Sequence, residues 1–220
     1  MLFRSGYKFV EVRRVHDSHM AVSGKLGGKK AQYLVDTGFS LSAVDERTAK
    51  RLKAVTGQER EGLIRTGANP ALSYAHLGDF ELGEHTFSNH IAMVVKMAGP
   101  IPRLRLSSSK SGGALDSDVI LGTPFLLLNH AILDYGQSAG LFLRDKPRTQ
   151  AEFDGMKESF EKSGFSATRV YMLRPPGAWV VEAKVNGKPL LLMLDSGSFR
   201  TIIDRKFAAQ AGLRSRSTPD

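Results

Sequence analysis

Two short stretches hold the residues best suited to chemistry. Leu34-Val35-Asp36-Thr37-Gly38 ends an apolar run in an acid, a small hydroxyl residue and a glycine, and Met193-Leu194-Asp195-Ser196-Gly197 does the same. An acidic residue straight after apolar ones is badly suited to a strand interior, and the small residues behind it mark a tight turn. Each turn presents one carboxylate, and the recurrence predicts two carboxylates that meet. Brought to about 3 Å apart, two carboxyls cannot both ionise readily, so they share a proton and hold an acid and a base in one place.

The elements around the first turn follow from periodicity. Tyr7 to Val15 leans to period two, as a half-buried strand does, and His19 to Leu26 forms a second strand. Gly27-Gly28 makes a hairpin turn, and Ala31 to Val35 returns to end at Asp36. Beyond the turn, Leu41 to Val44 is a short apolar segment, Asp45 caps a helix from Glu46 to about Val55, and Gly57 stops it. Gly62 to Leu72 has two glycines and a proline between apolar ends, as expected of a hairpin that covers a cleft. Strands are predicted over Ser73 to Leu82 and Thr86 to Val95, then a loop from Ala98 to Leu115. Val119-Ile120-Leu121-Gly122 reads as a short buried strand, Thr123-Pro124 opens a helical turn through Leu128, and Ala131 to Tyr135 with Gly140 to Leu143 close a hairpin.

A polar connector begins at Lys146-Pro147-Arg148, and Gln150 to Lys162 has helical spacing with Phe153, Met156 and Phe160 on one stripe. The strand pattern then restarts. At an offset of 159, Val22 aligns with Val181, Lys25 with Lys184, Gly28 with Gly187, Asp36 with Asp195, Gly38 with Gly197 and Asp45 with Asp204, without a gap. This is an internal repeat. Its second copy ends after a capped helix, Arg205 to Ala211, with no match to the covering hairpin or to Val119 to Gly122. The expected organisation is a complete lobe over 1–145, a connector with a short helix over 146–165 and a partial second lobe over 166–220.

Composition narrows the function classes. The 220 residues carry a formal charge of +9, but the basic residues are scattered and no nucleic-acid motif accompanies them, so nucleic acid is not an expected partner. No apolar run approaches the roughly 18 residues that a membrane span needs. Met1 to Lys8 lacks the apolar stretch of a signal peptide, which makes a cytoplasmic location the default. Without cysteine there is no disulfide frame, thiolate nucleophile or cysteine zinc site. His16 and His19 flank Asp17 with no third ligand in reach, Asp116 and Asp118 read as surface loop residues, and no metal site is expected.

Taken in order, these signals resemble the aspartic proteases of the retropepsin and pepsin clan, small bacterial retropepsin-like proteins above all. The resemblance rests on apolar-apolar-Asp-Thr-Gly, a later glycine-bearing hairpin, Ile120-Leu121-Gly122 followed by Phe125-Leu126, and the Ile132-Leu133-Asp134-Tyr135 strand. It implies a mostly β, retropepsin-like lobe closed like a barrel, with short helices, followed by a partial second lobe. It implies an aspartic endopeptidase that acts on a peptide or protein through a water-activating dyad, with no cofactor. Asp36 and Asp195 would form the dyad, Thr37 and Ser196 would tie the turns together, and Gly38 and Gly197 would allow close approach. Ile64, Arg65, Thr66 and Gly67 would lie in the flap, and Ile120 to Gly122 beneath the first turn. Two departures stand out: Phe39 occupies a place that the family fills with a small residue, as Ser198 does, and the second copy lacks its own supporting strand. Asp36 would meet either Asp195 or its own copy in a homodimer. The alternative function is a peptide-binding or assembly module without catalysis.

Overall fold

The Asp36 turn hangs from a long antiparallel hairpin. The computed structural model describes residues 6–15, 19–53, 56–57, 73–97, 117–136, 139–174, 177–198 and 200–214. Strand β1 (Lys8–Glu11) and β2 (Arg13–Val15) replace the single strand expected from Tyr7 to Val15, because the chain changes sheets at the buried Val12. The hairpin itself is β3 (His19–Leu26) and β4 (Lys29–Val35), in register from Met20 opposite Val35 to Leu26 opposite Lys29. Gly27 and Gly28 turn it at φ +57° and +73°, the left-handed pair that a two-residue hairpin needs. Next come β5 (Ala43–Asp45) and α1 (Glu46–Arg51), capped by the Asp45 carboxylate accepting from the Arg47 amide at 2.9 Å. The helix ends short of Val55, since Lys53 takes φ +50°, and Gly57 belongs to β6 (Thr56–Gly57) instead of acting as the stop.

Each of the two strands expected over 73–95 breaks in two. They are β7 (Tyr74–His76), β8 (Phe80–Leu82), β9 (His85–Phe87) and β10 (Ile91–Val95), with positive φ at Gly78 and Asn89 between the pieces. The short apolar β11 (Val119–Leu121) then inserts between β4 and β5, parallel to the first and antiparallel to the second. This sets the order β6-β7-β10-β5-β11-β4-β3-β8-β9 in the main sheet. After α2 (Thr123–Leu128), β12 (Ile132–Asp134) and β13 (Gly140–Leu143) join β1 in a three-stranded sheet. The mostly β class expected from the sequence is observed.

Fully buried Tyr33, Phe80 and Phe125 centre the core, with ring spacings of 5.7 Å and 6.0 Å along the series. Burying each such side chain contributes about 1.5–3 kcal/mol. Against Phe125 sits His90, also buried, whose Nε2 is 2.7 Å from the Ser42 hydroxyl. That hydroxyl also accepts the Gly122 amide at 3.1 Å, tying His90 to the turn that follows β11.

The second part of the chain starts with α3 (Gln150–Lys162), fixed by a capping box of Thr149 and Glu152 and by two Arg144–Glu152 bonds of 3.2 and 2.9 Å. Its apolar stripe forms but stays half-exposed at Phe153 and Phe160. A three-stranded antiparallel sheet follows: β14 (Tyr171–Leu173), β15 (Ala178–Val185) and β16 (Lys188–Met193). The Asp204 carboxylate caps α4 (Arg205–Gln210) by accepting the Phe207 amide at 2.9 Å. Among the described residues no helix is long and apolar enough to cross a membrane.

Burial lowers the His90 pKa to about 4. The unfolded chain binds that proton near 6.5, so this contribution to stability is complete above pH 6.5 and shrinks as pH falls towards 4, by up to about 3 kcal/mol. Denaturant unfolding at pH 7 and pH 4.5 should show the decline, and His90→Gln should flatten this part of the profile.

Candidate active site

The two acidic turns close on themselves in the same way. At the end of β4 the Asp36 amide donates to the Leu121 carbonyl at 3.0 Å, and the Gly38 amide closes back on Asp36 Oδ1 at 2.8 Å. At the end of β16 the Gly197 amide closes on Asp195 Oδ1 at 2.9 Å. Phe39 and Ser198 each donate to the carbonyl of their aspartate, at 3.4 and 3.3 Å. The Phe39 departure is therefore harmless to this support, which needs the amide at that position and not a small side chain.

The turns then lock into each other across a separation of 159 residues. The Thr37 amide donates to Ser196 Oγ at 2.8 Å, and the Ser196 amide donates to Thr37 Oγ1 at 2.9 Å. Each hydroxyl passes its own proton on, Thr37 to the Leu194 carbonyl at 2.7 Å and Ser196 to the Val35 carbonyl at 2.8 Å. Both residues are buried. Every polar group in the joint is satisfied, at a net gain of about 1 kcal/mol per bond.

This joint sets the Asp36 and Asp195 carboxyls beside each other. Each faces the other turn's glycine: a methyl group on Gly197 would collide with the Asp36 carboxylate, and one on Gly38 with that of Asp195. Burial pushes the Asp36 pKa above the usual carboxylate range, the negative charge of Asp195 adds to the rise, and the Gly38 and Phe39 amides pull the other way.

Ile120 to Gly122 lies against the first turn, as expected: the Thr123 amide donates to the Phe39 carbonyl at 2.9 Å, and a methyl on Gly122 would run into the Leu41 and Phe39 carbonyls. Three neighbours escaped the sequence reading. His19, weighed only as a metal ligand, donates from Nε2 to the Gly197 carbonyl at 2.7 Å. Tyr135 lies close enough to the Asp36 and Asp195 carboxyls to feel their charge, and Arg14 donates to the carbonyls of Tyr135 and Gly136. Nothing in their spacing marks them; only the tertiary approach of the two turns does. Asp118 accepts from the Gln32 amide at 3.0 Å, Thr48 at 2.7 Å and Arg51 at 3.2 Å, which makes it a structural anchor. Among the described residues no group of three or more metal-ligating side chains occurs. Ile64, Arg65, Thr66 and Gly67, together with His16 and Asp17, lie outside the described residues.

The family model described as aspartyl protease matches residues 22–125 and 181–220, more than half of the chain. The chain belongs to the aspartyl protease family. Among solved structures it is similar to a retropepsin-like aspartic protease from Rickettsia conorii, at 21% identity and a TM-score of 0.39, over 63% of this chain and 90% of that one. It is also similar to the retroviral protease-like domain of Ddi1 from Leishmania major, at 16% identity and a TM-score of 0.37, over 59% of this chain and 99% of that one. No curated protein matches.

Ser196→Ala removes the acceptor of the Thr37 amide and the donor to the Val35 carbonyl. Leaving such buried groups unsatisfied costs about 1–3 kcal/mol each, so unfolding should require markedly less denaturant. Thr37→Val should cost a similar amount, and the double variant should lose less than the two single losses combined, because one joint is being removed twice.

Proposed function

We propose that the chain is an aspartic endopeptidase in which Asp36 and Asp195, from two halves of one chain, activate water for attack on a peptide bond. The observation that carries this reading is the reciprocal seating of the turns, with amide–hydroxyl bonds of 2.8 and 2.9 Å in opposite directions and each glycine leaving room for the opposite carboxylate. Family membership supports it. In this scheme the ionised carboxylate takes a proton from a water lying between the two, while the protonated one donates to the scissile carbonyl oxygen. The tetrahedral intermediate collapses as a proton passes to the leaving nitrogen, and the pair regains its starting charge. The raised pKa of Asp36 favours it as the initial proton holder. The substrate is a peptide or protein, and the scheme uses no metal or cofactor.

The organisation that goes with this function is a complete lobe over 1–145, a connector over 146–165 and a partial second lobe over 166–220. Two regularities favour the repeat behind it. The matched segments begin at Val22 and Val181, separated by the offset that also relates Thr37 to Ser196. Both halves run hairpin, acidic turn and Asp-capped helix, with Asp45 at φ −61°, ψ 136° and Asp204 at φ −60°, ψ 134°. A homodimer through Asp36 would need the face of the turn that Ser196 and Leu194 occupy, so the intrachain pair is favoured. Binding without turnover is the second reading, favoured by the open apolar edge of the second half.

Asp36→Asn and Asp195→Asn should each lower kcat/KM on an unfolded protein substrate by roughly a hundredfold to ten-thousandfold. Loss with Asp36→Asn alone would point to a symmetric dimer, and peptide binding with no turnover between about pH 3 and 7 would establish the second reading. Stability gives an independent check. With its folded pKa raised, ionised Asp36 costs stability above that pKa, and the cost disappears as pH falls towards the unfolded value. Asp36→Asn should therefore melt higher than the parent at pH 7 and lose that advantage near the unfolded carboxylate pKa of about 3.9.

A further inference from the structure

Gly197 is the point at which the second turn meets both carboxyls. Its amide closes on Asp195 Oδ1 at 2.9 Å, and the space where a side chain would begin is taken by the Asp36 carboxylate. A shift of this residue therefore moves Asp195 and Asp36 relative to each other. The peptide unit that leaves Gly197 is planar, so its carbonyl and the Ser198 amide turn together. At one end the Ser198 amide donates to the Asp195 carbonyl at 3.3 Å, and at the other His19 Nε2 donates to the Gly197 carbonyl at 2.7 Å. The first of these is long for an N–H···O bond, so the bond from His19 dominates the orientation of the plane. A carbonyl only accepts, and Nε2 therefore carries the hydrogen.

The imidazole is well placed for this task. His19 is 5% exposed and stands at the start of β3, opposite Val15 of β2. From there β3 runs through its hairpin into β4 and Asp36, so His19 is fixed to the frame that carries the first carboxyl. The first turn is held differently, through the Phe39 carbonyl accepting the Thr123 amide at 2.9 Å. Ala178, which stands 159 places after His19, has no side-chain donor to offer in return. The clamp from His19 thus serves one turn and not both.

We propose that His19 is a positioning residue for the carboxyl pair: its Nε2–H fixes the Gly197–Ser198 peptide, and through it the place of the Asp195 carboxyl against Asp36. It acts through Gly197 and not on the reacting atoms. Its effect on rate rests on the endopeptidase reading above, whereas its effect on the carboxyls rests on the geometry of the turns alone.

Three variants separate the donor from the bulk of the ring. His19→Phe keeps a ring without a donor, His19→Asn carries an amide that reaches only as far as Nδ1, and His19→Gln places an amide nitrogen near the position of Nε2. On an unfolded protein substrate kcat should fall by about a hundredfold in the Phe and Asn chains, with KM little changed, and Gln should recover most of the loss. The Asn chain decides if the Phe chain does not fold. Parental kcat in a folded Phe or Asn chain, a loss carried by KM, or a loss that Gln does not recover overturns the proposal. Carbon-13 spectra of the aspartate carboxyls read the same displacement without substrate. In the parent and the Gln chain the Asp36 and Asp195 resonances should each move in two coupled steps with pH, and in the Phe and Asn chains each in a single step. Uncoupled titration in the parent, or equal coupling in the Phe and Asn chains, overturns the proposal. A parent chain that cleaves nothing overturns the endopeptidase reading alone, and the carboxyl spectra then decide the role of His19.

Discussion

Everything at the site depends on the exchange of bonds between Thr37 and Ser196. Two carboxyls in contact repel when both are ionised, by about 4 kcal/mol at 4 Å in an effective dielectric of 20. The four bonds of the joint, at about 1 kcal/mol each, are of the same size. Bonds of that size are enough to hold the two turns together.

That exchange explains how the second turn keeps its place. Among the described residues no strand lies beneath the Asp195 turn as β11 lies beneath that of Asp36. The missing support comes from the side: the Ser196 hydroxyl reaches Val35, the Thr37 hydroxyl reaches Leu194, and His19 holds the Gly197 carbonyl. All three donors belong to the joint itself or to β3.

Much of this was legible in the residues. The Gly27-Gly28 turn, the Asp45 and Asp204 caps and the buried Val119 to Gly122 segment are local signals, and each element stands where its residues put it. Strand interruptions at Val12, Gly78 and Asn89 were not legible, because changing sheets or taking a positive φ inside an apolar run is decided by the partners on either side. Nor were His19, Tyr135 and Arg14, which reach the site through contacts distant in sequence. The α3 stripe shows the reverse failure: periodicity foretold the helix, but Phe153 stays half-exposed and Phe160 meets only the ring of Phe165 just past the helix end.

Two buried groups set opposite demands on pH. Burial keeps His90 neutral, which disfavours strong acid, while Asp36 resists ionisation, which disfavours alkali. Whether both carboxyls come from one chain is read from specific activity followed over dilution from micromolar to nanomolar protein. An intrachain pair predicts activity per chain that is unchanged by dilution. Activity per chain that falls away as the protein is diluted would contradict it, and would put the second carboxyl on another molecule.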